Sequence, residues 1–592
     1  MVILKHTLRI PAVFALVLSL FFGASCTPIP QKDYRASPES AGIRIEKPQI
    51  TANHAIIAVA NPHAAQAGYR ILKAGGNAID AAIATQLVLN LVEPQSSGIG
   101  GGGFLLLFDP VQNALTSFDG RETAPAKANS TLFIKKDGTK MSFFDAAVGG
   151  RSVGVPGLLH MLKQAHRKYG RMDWELLFND AINLAENGFN VSERLHKLVS
   201  ADRFLKTDPT ARTYFYNKDG MAHPVGYLLK NPEFANTLRQ IQNGGIESFY
   251  IGQLGDRIVD KVQTHPDNPG LLGSDDLLLY RSVERDPVCL DYRQYKVCGM
   301  APPSSGGLTV LQTLGLIEQY DRNNDPKPTI DRNHLYLEAS KLAFADRNYY
   351  IADPDFVDVP TQQLLSKSYL IGRQTQIQHD RVVTTPAEPG GPFMFTRKWA
   401  NDDSEHGLST THMSIVDADG MVVSMTTSIE NAFGSRQMIG GFLLNNQLTD
   451  FSFIPSKNGL PVANRVEAGK RPRSSMAPTI VLDRTTQKPV LTIGSPGGSR
   501  IIGYVTRNLI SILDDGLDLD KALARGHLTN RNGASELEQG TGAEQQKAKL
   551  ERLGHSVKIK EMTSGLHAVR ILPDGTLQGA ADPRREGVAI GY

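Results

Sequence analysis

A run of hydroxyl-bearing residues, Leu408-Ser409-Thr410-Thr411-His412-Met413-Ser414-Ile415-Val416, divides this chain into two parts of different character. Upstream, apolar residues recur mostly at helical spacing; downstream, short alternating stretches read as strands. Directly before the run lies a polar segment without periodicity, Asn401-Asp402-Asp403-Ser404-Glu405-His406-Gly407. After it, Met413, Ile415 and Val416 give a strand pattern that ends in the turn Asp417-Ala418-Asp419-Gly420. A second strand runs from Met421 to Ser428, so a hydroxyl residue stands where a loop meets the first strand of a hairpin.

A threonine hydroxyl is a weak nucleophile until a base removes its proton. One solution makes threonine the first residue of a new chain, so that its own α-amine is the base. Such an amine titrates near ~7.7–8 and is partly neutral at working pH. Chain cleavage must uncover it, and a loop-to-strand junction is a suitable place. On this stretch alone, β-branched strand residues would account for Thr410 and Thr411 as well.

The 592 residues allow several domains, with 41% hydrophobic and 21% charged residues, the balance of an ordinary globular protein. A net charge of +3 is too even to suggest a nucleic-acid partner. Neither His-Glu-x-x-His nor paired Cys-x-x-Cys occurs, so no metal and no cofactor is expected. Cys289 and Cys298 lie nine apart around Asp291-Tyr292-Arg293-Gln294, a spacing that suits the two arms of a hairpin. A cross-strand disulfide and two separate thiols both remain open.

At the start, Lys5 and Arg9 precede an apolar run from Pro11 to Phe22 and then Gly23-Ala24-Ser25-Cys26. Residues 1–25 read as a bacterial signal peptide, too short for a comfortable membrane span. Small residues before Cys26 resemble a lipobox, which makes Cys26 the expected lipid attachment site, with ordinary signal cleavage the alternative. Thr27 beside it points to a periplasmic lipoprotein anchored in the outer membrane. Residues 26–52 are a polar, Pro-containing tether.

A strand is expected over 55–60, followed by helix over 62–91, interrupted by Gly75-Gly76. The glycine run Gly100-Gly101-Gly102-Gly103 lacks the Lys-Ser/Thr ending of a phosphate loop and allows backbone to approach backbone. Arg121 follows a turn glycine, where a carboxylate clamp or a surface salt bridge would fit. Residues 150–285 read as helical: 156–169, 174–187, 191–206, 231–244 and 252–264. Further helices are expected over 308–321 and 333–349, then a loop-rich span to 408. Strands follow at 410–417, 421–428, 441–445, 478–483 and 489–494, helices at 499–514, 518–525 and 541–554, and two last strands at 556–562 and 566–572. Helical layers enclosing sheets packed face to face accommodate that order.

Several separate motifs then agree. Thr410-Thr411-His412, the stretch Gly441 to Phe451, Arg471-Pro472-Arg473-Ser474-Ser475-Met476-Ala477-Pro478-Thr479 and Gly494-Ser495-Pro496-Gly497-Gly498-Ser499-Arg500 stand in one order. With Gln95 to Gly103, Asp119 to Pro125, Pro302 to Gly307 and Ala581 to Arg584, the chain over roughly residues 50–592 resembles the γ-glutamyltransferases (γ-glutamyltranspeptidases). The resemblance implies an α+β fold, the four-layer αββα sandwich of N-terminal-nucleophile hydrolases. It also implies a precursor that cuts itself between Ser409 and Thr410. The large fragment would span 53–409 after the tether, and the small fragment 410–592. The two would stay together as a heterodimer, since strands on both sides of the cut share one core.

The resemblance gives roles to particular residues. Thr410 is the nucleophile, with Ser428 where the family often has a second threonine that orients it. Gly497 and Gly498 offer backbone N–H groups to the oxyanion. Arg121, Ser474 and Ser475 hold the carboxylate of the donor's glutamate end; Asp450 and Gln447 hold its ammonium. Glu430 stands where some members have Asn and either strengthens the ammonium site or selects another donor. His412 supports the nucleophile loop or packs. The segment 452–470 is short, so Phe453 and Leu460 are not expected to close the site, and water can compete with amine acceptors. The implied activity is γ-glutamyl transfer and glutathione hydrolysis, from glutathione or another γ-glutamyl donor to an amino acid, a peptide or water. An acylase of the same fold acting on a β-lactam side chain or on poly-γ-glutamate is one alternative. A non-catalytic, lipid-anchored binding protein is another.

Overall fold

The computed structural model describes Val2, residues 44–323, 330–391, 399–402, 404 and 409–592. The expected signal peptide, Cys26 and most of the tether lie outside the described residues. Two seven-stranded sheets form the centre. The first runs, in spatial order, Val588–Gly591, Ile56–Val59, Ser409–Val416, Val422–Glu430, Gly102–Asp109, Ala114–Gly120 and Val283–Arg285. The second runs Ile50–Ala52, Leu577–Ala581, His567–Ile571, Pro489–Gly494, Thr479–Asp483, Tyr295–Gly299 and Val288–Tyr292. Both sheets take strands from either side of the Ser409–Thr410 bond.

Strand side chains alternate between faces, and here both faces are covered. Ile57, Val59, Leu105, Leu107, Met413, Ile415, Val423 and Met425 join the helical layer over the first sheet. Ile56, Ala58, Phe104, Leu106, Phe108, Val416 and Val422 turn inward to meet Ile480, Ile493 and Ala568 of the second. Helix Ala78–Val92 packs on the first sheet and is buried at all 15 positions, with Asn77 and Asp80 forming a capping box at its start. Helices Gly306–Asn323 and Arg500–Leu513 bring Val310, Leu314, Ile502 and Val505 into the second core. The layers are therefore α, β, β, α.

The glycine run lies against the nucleophile hairpin. A Cβ on Gly101 would stand 2.2 Å from the Ser428 carbonyl oxygen, and one on Gly100 2.2 Å from that of Leu443. At the far end, Asp417 ties the hairpin turn to the helical layer: its carboxylate accepts from Met421 N at 2.9 Å and from Ala78 N at 2.9 Å.

Several sequence-based expectations shift. The expected break at Gly75-Gly76 is present, with Gly75 at φ +90° between helices Pro62–Lys73 and Ala78–Val92, while other bounds move. The helix over 191–206 shortens to Glu193–Ala201, and that over 541–554 to Lys547–Arg552 after a 3₁₀ turn. The strand over 441–445 is only Phe442–Leu443, because Gly440 and Gly441 take left-handed φ. Leu577–Ala581 and Val588–Gly591 are strands in what reads as a tail; Leu-Gln-Gly-Ala-Ala has little apolar alternation. Cys289 and Cys298 sit opposite each other in a two-stranded register and are joined as a disulfide.

Candidate active site

Strand Ser409–Val416 pairs Ser409 with Glu430 and Thr411 with Thr427, so the register shifts between them. A bulge re-aims a side chain that regular pleating would direct elsewhere. The extra residue lies on the partner strand, where Ser428 and Ile429 together face Thr410, and Glu430, opposite Ser409, takes φ +79°. Thr410 is thereby brought into a narrow pocket with Arg121, Ser428, Glu430, Gln447, Asp450, Ser474, Ser475, Met476, Gly498, Ser499 and Ile501.

Three hydroxyl groups meet at the bulge. The Thr410 hydroxyl donates to Ser428 Oγ at 3.4 Å. Ser428 Oγ donates to the Ser409 carbonyl at 2.8 Å and accepts from Glu430 N at 2.9 Å. Ser409 Oγ donates to the Gln95 carbonyl at 2.5 Å, anchoring the residue before the bulge. Arg585 Nη1 donates to the Thr410 carbonyl at 3.3 Å.

Opposite charges occupy the next layer. Arg121 is fully buried, not a surface residue, and its Nη2 donates to Asp450 Oδ2 at 2.5 Å. Its Nε is held by the Pro472 carbonyl at 3.0 Å, while Nη1 lies 3.7 Å from Glu122. Gln447 Nε2 donates to Asp450 Oδ2 at 2.9 Å, and Gln447 Oε1 is buried without a hydrogen bond. That oxygen and the Asp450 carboxylate together suit a cation. Glu122 is fully buried; desolvation raises its carboxyl to about 8 against the opposing pull of Arg121. Asn446 Nδ2 donates to Glu430 Oε2, fixing that acid at the rim.

The serine pair is braced from behind. Ser474 Oγ accepts from Met476 N at 3.1 Å, and Ser475 Oγ accepts from Arg347 Nη2 at 2.7 Å. Arg347 Nε also donates to Ser305 Oγ at 2.8 Å. Gly498, at φ +56°, lines the pocket; Gly497, at φ +133°, shapes the same turn but does not line it. His412 packs between the sheets and bonds Thr426 at 2.8 Å and Ser414 at 3.1 Å. Burial, and then His567, hold its ring far below the ordinary imidazole range. A Cβ on Gly494 would stand 2.3 Å from that ring, so His412 fills the space a larger residue there would need.

Phe453 stacks on Phe133 at 4.4 Å and Leu460 is 37% exposed on a small hairpin; neither lines the pocket. Arg347, Glu122 and Arg585 were not singled out from the sequence. Glu122 and Arg585 each adjoin a residue that was, but nothing in their spacing marks them as touching the site. Away from it, His334, Glu338 and His555 converge, a group no sequence spacing reveals. His334 Nδ1 lies 2.7 Å from His555 Nε2, and Glu338 is ion-paired with Lys341 at 2.7 Å.

This geometry has relatives. The family model described as gamma-glutamyltranspeptidase matches residues 64–592. The chain is 36% identical to the glutathione hydrolase proenzyme of Bacillus subtilis (strain 168), over 90% of this chain and 91% of that one. It is 35% identical to the glutathione hydrolase proenzyme of Escherichia coli (strain K12), over 99% of each. An acylase ACY 1 proenzyme of Pseudomonas sp. (strain SE83) is 31% identical over 93% of this chain and 96% of its own. Among solved structures, a cephalosporin acylase from Bacillus halodurans superposes with a TM-score of 0.79 at 28% identity, covering 93% of this chain and 98% of that one. The Helicobacter pylori gamma-glutamyltranspeptidase matches with a TM-score of 0.52 at 32% identity, covering 57% of this chain and 95% of that one. With two face-to-face sheets and this extent of similarity, the chain has the N-terminal-nucleophile hydrolase fold and belongs to the γ-glutamyltranspeptidase family of self-processing enzymes.

Proposed function

We propose that this enzyme cuts itself before Thr410 and then cleaves the γ-glutamyl amide of glutathione and related compounds, passing the acyl group to water or to an amine. The observation that carries the reading is Thr410 opposite the Ser428–Ile429 bulge, its hydroxyl 3.4 Å from Ser428 Oγ, facing a paired Arg121 and Asp450 in one pocket. In the precursor, Thr410 Oγ1 attacks the carbonyl carbon of Ser409. Ser428 donates to that carbonyl and stabilises the charge developing on its oxygen. The peptide C–N bond breaks and an ester forms. Water then opens the ester, leaving a Ser409 carboxylate and a free Thr410 amine.

In the mature form the amine takes the proton of Thr410 Oγ1 as the oxygen attacks the donor's γ-carbonyl carbon. The Gly497–Gly498 turn supplies N–H donors to the oxyanion. The proton passes to the departing amine, leaving a γ-glutamyl ester on Thr410. Water or an acceptor amine resolves it. Arg121, Ser474 and Ser475 receive the donor's α-carboxylate; Asp450, Gln447 and Glu430 receive its ammonium. Phe453 and Leu460 stay out of the pocket lining, which leaves water able to compete with amine acceptors.

The acylase relatives make a second donor class relevant. Asp450 favours a donor that carries an amine. Release of p-nitroaniline from γ-glutamyl-p-nitroanilide, compared with the glutaryl analogue that lacks the amine, tests this. Preference for the glutaryl compound would overturn the γ-glutamyl assignment. We further propose extracytoplasmic placement, with residues 1–25 removed and Cys26 lipidated; the Cys289–Cys298 disulfide supports an oxidising compartment.

A further inference from the structure

Arg585 is 2% exposed and lies directly behind the nucleophile. Its Nη1 donates to the Thr410 carbonyl at 3.3 Å and its Nη2 to the Thr563 carbonyl at 3.1 Å. The turn that carries it is tightly held. Lys47 Nζ donates to the Gly587 carbonyl at 2.6 Å, and Arg584 Nε and Nη2 grip Glu538 at 2.6 and 2.7 Å.

We propose that Arg585 is a positioning residue for the nucleophile: its guanidinium fixes the Thr410 carbonyl, and its charge keeps the α-amine of that residue in the unprotonated form that accepts the hydroxyl proton. The inference rests on Thr410 being the terminal nucleophile. The carbonyl oxygen and amine nitrogen of one residue lie within about 3.6 Å of each other by covalent geometry. The guanidinium is therefore within about 7 Å of the amine, where a unit charge at an effective dielectric near 20 is worth one to two pKa units. Burial keeps water from screening it. Its field reaches other neighbours too, acting on Glu93 and on His567.

Among the described residues, charges of both signs surround Thr410. On the pocket side, Arg121 and Asp450 are paired with each other, and Glu430 acts in the opposite sense to Arg585. On the far side, Lys47 and Arg194 add to the positive field and Glu586 opposes it. Burial raises Glu93 towards its neutral form and holds His412 and His567 neutral.

The test is the acid limb of the pH profile of kcat/KM for γ-glutamyl-p-nitroanilide, measured on full-length, self-processed enzyme. Arg585→Gln removes the charge, so the limb should move up by about one unit, lowering the rate near pH 6 about tenfold. Arg585→Lys keeps a charge, so its limb should stay within about 0.3 units of the parent even if kcat falls. An unmoved limb in Arg585→Gln, or an equal shift in Arg585→Lys, overturns the proposal. Should Arg585→Gln remain uncut, Glu586→Gln tests the same field in reverse: its limb should move down, and an unmoved or raised limb overturns the proposal. A parent enzyme whose small fragment does not begin at Thr410, or whose profile has no acid limb, sinks the nucleophile reading itself and is seen before any variant is compared.

Discussion

Ser428 donates its hydroxyl to the carbonyl of Ser409 at 2.8 Å, across the hairpin from the residue whose hydroxyl would attack that carbonyl. One side chain thus touches both the electrophile of self-cleavage and, at 3.4 Å, the nucleophile.

Ser428→Ala should therefore slow maturation and turnover together, each by about 10²–10³-fold, the range for losing one oriented donor at a developing oxyanion. Ser428→Thr keeps the hydroxyl and should retain most of both. Time courses of precursor cutting on denaturing gels, alongside initial rates, measure the pair. Loss of turnover with normal cutting would separate two roles that the geometry joins.

Asp450→Asn should raise KM for γ-glutamyl-p-nitroanilide about 10–100-fold while narrowing the preference over the glutaryl analogue. The carboxylate is the counter-charge for the donor's ammonium, and replacing it by a neutral amide of the same shape forfeits about 1.4–2.7 kcal/mol of that pairing. The same change removes the charge opposite the buried Arg121, so a lower Tm should accompany it. An unchanged ratio between the two substrates would remove Asp450 from ammonium recognition.

Glu122 gives the fold a pH dependence whose sign can be worked out. Burial raises its carboxyl from 4.5 to about 8, so between those values the folded chain holds a proton that the unfolded chain has released. Stability from this group is full below about pH 4.5 and is lost as pH rises through about 8. Glu122→Gln mimics the neutral form. Its Tm relative to the parent should rise from pH 5 to pH 9, by the equivalent of a few kcal/mol at most. A pH-independent difference would show that Glu122 does not hold that proton.

Much of this was legible in the sequence, for identifiable reasons. The place of Thr410 between an aperiodic polar segment and a strand suits an ordinary strand residue as well, and it is the ordered motifs around it that mark Thr410 together with Asp450, Ser474 and Ser475. The strands that were found alternate or run apolar; Leu577–Ala581 does neither and was missed, although it pairs with His567–Ile571. The Ser428–Ile429 bulge opposite Thr410 is a register shift between strands whose facing residues are 18 apart in sequence, which local pattern cannot encode. Arg347 and Arg585 reach the site across 128 and 175 residues of sequence, and only tertiary packing brings them there. Arg121 was open to reading as a surface ion-pair residue because burial of its side chain depends on Asp450, 329 residues away.

The most direct measurement is the terminal sequence of the small fragment from parent enzyme and from Thr410→Ala. The parent should yield Thr-Thr-His-Met, beginning at residue 410, together with activity; Thr410→Ala should remain one uncut, inactive chain. A small fragment starting elsewhere, or normal cutting of Thr410→Ala, would contradict the account.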